Sequence, residues 1–259
     1  MKKYLFLITS FFTALVASGA TYYVVPGGAG NKNGTSWANA YADVQTAIDS
    51  ASSDGGGEVW IAKGTYKHGS AMKMKNNVAI YGGFAGTETS KEERVAGNNT
   101  ILDGEGKHIV FVNNYTKENP LTNSAKLDNV TIQNGYASFG AGMYNYYASP
   151  EITNCTFSNN SASYGGGGMC NDSSSPVLTN CTFTNNSTSS DGGGMYNESS
   201  SSPTLTNCTF SGNSASDSGG GMYNYNHNSS SPVLTNCILW GNTASYSGNE
   251  IGSIPKVVE

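Results

Sequence analysis

Basic side chains are scarce in this chain. Lys and Arg together number 13 of 259 residues against 18 Asp and Glu, and none lies between Leu127 and Pro255. Nucleic-acid binding relies on Lys and Arg to neutralise phosphates, so no nucleic-acid partner is expected. Long apolar runs are also rare. The run Leu5 to Val16 follows Lys2 and Lys3 and is followed by Ala17-Ser18-Gly19-Ala20. It is shorter than the ~20 residues needed to span a bilayer, and its order of positive, apolar and small residues is that of a secretory signal. Residues 1–20 are therefore read as a signal peptide cleaved after Ala20. With no Cys in the small-residue stretch, a lipid anchor is not expected. The product belongs at the cell surface or outer membrane, or outside the cell.

Low charge and low hydrophobicity also suit disorder, but regular spacing argues against it here. Glu151-Ile152-Thr153-Asn154-Cys155-Thr156-Phe157 aligns with Val177 to Phe183, Thr204 to Phe210 and Val233 to Leu239. A second motif alternates with it: Gly166-Gly167-Gly168-Met169, Gly192 to Met195 and Gly219 to Met222. Looser copies end at Met143 and Ile251. From Cys155, Cys181, Cys208 and Cys237 to Met169, Met195, Met222 and Ile251 the step is always 14. From Pro150, Pro176, Pro203 and Pro232 to the next Cys it is always 5. From each Met to the next Pro it is 7, 7, 8 and 10, so all length variation falls in one Ser/Asn-rich segment. Constant segments are paired backbone and the variable one is a surface loop.

One repeat is thus one coil of a right-handed parallel β-helix, an all-β solenoid. Alternation within a coil is strand-like. It places Met143, Met169, Met195 and Met222 inward, with Cys155, Cys181, Cys208 and Cys237, and Phe157, Phe183 and Phe210. Asn154, Asn180, Asn207 and Asn236 fall at a bend, where Asn tolerates left-handed backbone. Their amides are expected to form a ladder, which would make the Asn-Cys-Thr sequons inaccessible. Helical repeats are excluded by the density of Gly, Asn, Ser and β-branched residues. Propeller blades are excluded by the short period.

The N-terminal half is less regular. Leu127 to Ile132 and Asn77 to Gly83 fit the same frame, Val59-Trp60-Ile61 reads as the first strand, and Ile101 to Asp103 and His108 to Val112 supply others. Val44, Ala47, Ile48 and Ala51 fall at helical spacing, predicting a short helix over the open end of the stack, which would otherwise expose a strand edge. The expected organisation is a signal at 1–20, a cap with a helix at 21–58, irregular coils at 59–126 and regular coils of about 26–29 residues at 127–259. The last of these is expected to be truncated or uncapped.

Gly34-Thr35-Ser36-Trp37 and Val59 to Tyr66, with the intervening helix, resemble bacterial pectate-lyase-like β-helix proteins. The coils resemble the repeat of chlamydial polymorphic outer membrane proteins, whose signatures are Gly-Gly-Ala-Ile and Phe-x-x-Asn. Here Gly-Gly-Gly-Met stands for the first, and Phe157…Asn160, Phe183…Asn186 and Phe210…Asn213 match the second. In that family such repeats form the passenger of surface adhesins, which implies the same here. No C-terminal run of alternating barrel strands is recognised, so outer-membrane association would need a further domain.

A pectate-lyase-like fold also implies a possible polysaccharide lyase or glycoside hydrolase. A lyase of that type needs a Lys or Arg base, which the regular coils lack. A hydrolase needs two carboxylates across the bond. Asp172 and Glu198 hold equivalent places in successive coils, and Asp103 groups with Glu105, Lys107 and His108. The simpler reading of each is a solvated turn. Tyr144, Tyr196 and Tyr223 form an outward stripe able to stack on sugars or a protein, and Cys170, which takes the same place in its coil, is expected to face solvent. The cysteine column is expected to be buried thiols, with neither metal nor cofactor. A non-enzymatic surface or secreted binding protein, with glycans or cell-surface proteins as partners, is the leading expectation; a carbohydrate-active enzyme and a structural spacer are the alternatives.

Overall fold

The structure, a computed structural model, describes residues 19–95, 97, 99–225 and 230–252. The signal-like segment before Gly19 lies outside the described residues, as does everything after Gly252. Four stacks of parallel strands form the walls of a solenoid. Sheet A has eight strands, from Ala20–Val24 to Val233–Thr235. Sheet B has seven, from Gly64–Lys67 to Ile238–Trp240. Sheet C has six, from Phe111–Asn114 to Ile251–Gly252, and sheet D five, from Tyr136–Phe139 to Thr243–Ala244.

Registers follow the repeat residue for residue: Ile152 pairs with Leu178, Phe157 with Phe183, and Met169 with Met195. Inward columns therefore hold like residues. Phe157, Phe183 and Phe210 are fully buried, with ring centroids 4.6 and 4.5 Å apart and planes 1° apart. One contiguous apolar core runs from Val24 to Met222. In the final coil Leu234, Cys237, Leu239 and Ile251 are only partly covered, while Ile238, Trp240 and Tyr246 are exposed.

The expected helix is present as Val44–Ser53, with Val44, Ala47, Ile48 and Ala51 buried in that core. Asp43 caps it by accepting from the Thr46 backbone N–H, satisfying one of the free donors of its first turn. Val59-Trp60-Ile61 is not the first strand. Ala20–Val24 precedes it and pairs with it in parallel, so the N-terminal segment contributes a wall strand as well as a helix. The Gly34-Thr35-Ser36-Trp37 segment brings the Trp37 indole into a cluster with Tyr23, Trp60 and Phe84.

Two interior ladders hold the stack together. Asn113, Asn145, Asn171 and Asn197 each donate through Nδ2 to the Oδ1 of the next residue in the series Asn113–Asn145–Asn171–Asn197–Asn224, at 2.8–2.9 Å. Asn160, Asn186, Asn213 and Asn242 repeat the pattern at another corner, each Nδ2 also donating to the carbonyl of the Ile or Phe one coil below. The Asn242 amide ends that series on the Glu250 carboxylate. Buried amides are costly unless every donor and acceptor is met; in-register repetition meets them coil by coil.

The glycine triplet has a steric cause. A Cβ on Gly194 would stand 2.4 Å from the carbonyl oxygen of Gly221 in the next coil, and Gly168 and Gly221 are placed alike. The place before Met admits only glycine wherever another coil lies against it, as at Gly142, Gly168 and Gly194. Glu250 occupies the corresponding place in the last described coil.

Candidate binding surface

The predicted Asn bend is real: Asn154, Asn180, Asn207 and Asn236 have φ between 52 and 55°. Asn207 donates to Asn180, Asn180 to Asn154, both at 3.2 Å, and Asn154 to Asp128 at 2.7 Å. This ladder lies outside the wall, however, and its residues are exposed. The sequon asparagines are thus not inaccessible as expected, although three of their amides are engaged. The two buried ladders were not anticipated. The Met-x-Asn spacing carried the signal, since residues two apart in a strand share a face; in Phe-x-x-Asn the left-handed bend at Asn159, Asn185 and Gly212 turns the following Asn inward.

Cys155, Cys181 and Cys208 are buried free thiols, and Cys237 is partly covered. Burial pushes the Cys155 thiol up to about 12. Cys170 does not face solvent; it is fully buried, and burial holds its thiol well above the ordinary value. Among the described residues no group of three or more His, Cys, Asp or Glu is placed to hold a metal ion, and no helix is long and apolar enough to cross a membrane.

The outward face of sheet C carries the predicted tyrosines in register, Tyr144–Cys170–Tyr196–Tyr223, beside a second column, Tyr146–Asp172–Glu198. The stripe is not the open platform that was expected. Tyr196 is only 8% exposed, and Tyr144 and Tyr223 are half-buried. What covers it is informative. Phe139 lies 6.3 Å from Tyr196 and stacks on Tyr164 at 5.6 Å, while Tyr196 stacks on Tyr223 at 5.6 Å. A continuous aromatic ribbon therefore runs across the C–D corner, and its outermost ring, Tyr164, is 61% exposed.

Carboxylates flank the ribbon. Asp172 and Glu198 are register partners in adjacent coils; burial, and then the Asp172 charge, push the Glu198 carboxyl up. On the other side, the Ser190 hydroxyl lies 3.3 Å from a carboxylate oxygen of both Asp191 and Asp217. Burial also raises Asp191. Like charges on neighbouring strands oppose one another, and the sequence supplies no Lys or Arg between residues 127 and 255 to offset them.

Asp103 lies elsewhere, in an open cleft of about 510 Å³ lined with Lys67, Glu105, Asn134 and Tyr136. Burial disfavours its charge, but hydrogen bonds from Gln133, the Glu105 N–H and Asn134, together with the Lys67 charge, outweigh that and hold its carboxyl below the ordinary range. Lys67 donates to Glu105 at 3.0 Å, which raises the lysine and lowers the glutamate. Lys107 and His108 do not line this cleft.

Stacked parallel strands, inward like-residue columns and asparagine ladders define the class as a single-chain β-solenoid. The family described as a right handed beta helix region matches residues 98–251, and the chain belongs to that family. No curated protein and no solved structure matches it.

Proposed function

We propose that this is an exported, non-enzymatic binding protein that displays its β-helix at or beyond the cell surface, in the manner of an adhesin, and recognises glycans there. The observation that carries the reading is the aromatic ribbon Tyr164–Phe139–Tyr196–Tyr223, open to solvent at Tyr164 and Phe139, on a wall without Lys or Arg. Flat apolar rings backed by hydroxyls suit the faces of pyranose rings. The signal-like start and the resemblance to polymorphic outer membrane protein repeats support display outside the cell. The ionisation of the Asp103 cleft argues against catalysis there. Its carboxyls are lowered rather than raised and its lysine is held charged by Glu105, whereas a general acid or base requires the opposite tuning.

Screening the purified protein against glycans, matrix proteins and whole cells tests the reading. Saturable glycan binding weakened by Tyr164→Ala supports it, and no binding on any panel overturns it. A glycoside-hydrolase reading keeps one supporting observation, the raised Glu198 carboxyl beside Asp172, since an acid and a second carboxylate in close neighbourhood are what such chemistry uses. Reducing-sugar release from mixed polysaccharides, abolished in Glu198→Gln, would establish it.

A further inference from the structure

We propose that the ribbon face takes a polysaccharide bearing free amino groups, laid along the solenoid axis across the coils that contain Tyr164, Tyr196 and Tyr223. The inference rests on the glycan-binding reading above and names the chemistry of its ligand.

Charge complementarity is the first argument. The ribbon lies between two carboxylate pairs, Asp172–Glu198 and Asp191–Asp217, each spanning adjacent coils. Neither pair has a Lys or Arg of its own stretch to meet, because residues 127–255 contain neither. Among the described residues all five ion pairs lie at residue 151 or earlier. Carboxylates beside aromatic faces are an environment that favours ammonium groups, through ion pairing and through the negative face of the ring. The ribbon supplies the ring faces: Tyr164 and Phe139 are exposed, and Tyr223 is half-covered.

Spacing is the second argument and selects sugar over peptide. Successive coils present equivalent side chains about 4.8 Å apart, close to the length of one pyranose unit in an extended chain. An extended polypeptide advances about 3.4 Å per residue and turns alternate side chains away, so its lysines would fall out of step with the coils. A β-1,4-linked glucosamine polymer keeps a flat ring in step with each coil and turns its amines alternately to the two sides of the chain, where the two carboxylate pairs lie.

Calorimetric titration of the full chain with glucosamine oligomers, with their fully N-acetylated counterparts and with oligolysine separates the outcomes. The expected result is binding of the free-amine oligomer that is about tenfold or more tighter than that of the acetylated one, and that weakens with added salt. Asp172→Asn/Glu198→Gln should bring the two sugars to equal affinity, while Tyr164→Ala should weaken both. Circular dichroism and the unfolding midpoint of each variant establish that the fold is intact. Equal affinity of the unaltered protein for both sugars overturns the amine inference and leaves the glycan reading standing. Binding of oligolysine in preference to either sugar overturns the sugar assignment. No binding of any sugar here or on a glycan panel removes both.

Discussion

Asn171 donates through Nδ2 to the Oδ1 of Asn197 at 2.9 Å, with neither residue in contact with solvent. Asn171 also accepts from Asn145 on its other side. Asn171→Ala would leave a donor on Asn145 and an acceptor on Asn197 unmet, at about 1–3 kcal/mol each. Urea titration should show a loss of about 2–4 kcal/mol, and a loss below that of an exposed control such as Ser216→Ala would show that the ladder contributes little.

The aromatic column makes a separate prediction. Phe183 is fully buried between Phe157 and Phe210, so Phe183→Ala should cost about 3–5 kcal/mol through lost burial and a residual cavity. Phe183→Leu should cost clearly less. Because coils interact mainly with their neighbours, hydrogen exchange should report loosening concentrated in the coils that contain Phe157 and Phe210.

The two kinds of corner can be told apart by substitution. Gly194→Ala forces a Cβ against the Gly221 carbonyl oxygen and should destabilise by about 1–3 kcal/mol, the cost of overpacking. Glu250→Gln keeps a side-chain acceptor for the Asn242 amide and should be mild. Glu250→Ala removes it and should cost about 1–2 kcal/mol. Thermal unfolding of the three variants side by side checks the order.

Thiol chemistry should follow cover. Cys155, Cys170, Cys181 and Cys208 are buried and Cys237 only partly so. Native protein treated with an alkylating agent should be modified first at Cys237, and the other four only on unfolding; peptide mass mapping decides it. Rapid native labelling at Cys170 would contradict its buried place.

Glu198 gives a pH signature. Its carboxyl titrates higher in the fold than in the unfolded chain, through burial and Asp172. The folded state therefore holds that proton more tightly. The resulting stabilisation is complete below the unfolded carboxyl range and is lost as pH rises through the folded one. At neutral pH, Glu198→Gln should unfold at a higher temperature than the parent, and the gap should close on acidification. Asp103, lowered in the fold, acts oppositely. Asp103→Asn should destabilise at neutral pH and become neutral in acid.

The architecture was legible because period and burial share one cause. Each coil must return Leu178, Cys181, Phe183 and Met195 each to its own column, so fixed steps between them could be read as paired strands, and the helix was readable from Val44, Ala47, Ile48 and Ala51. The buried Asn ladders were hidden by a chemical prejudice. A polar residue on an inward position reads as a loop until a second and a third copy stack on it. The surface was the least legible. Cys170 and Tyr196 occupy outward positions, and alternation alone makes them solvent-facing. Phe139, itself stacked on Tyr164, folds across from the neighbouring wall onto Tyr196, and Cys170 lies between its larger register partners Tyr144 and Tyr196, contacts between coils that no spacing within one coil reveals.

The bare glycine corner also sets how the solenoid can be lengthened by design. A duplicate of the segment from Val177 to Pro203, spliced in after Pro203, would keep the step of 5 from Pro to Cys, meet glycine on both of its faces and extend every column by one unit. The same cassette placed behind Ile251 would come down on the side chain of Glu250. In protein engineering terms, the interior coils are interchangeable building blocks and the coil of Glu250 is a lid, to be carried along at the end of any longer array.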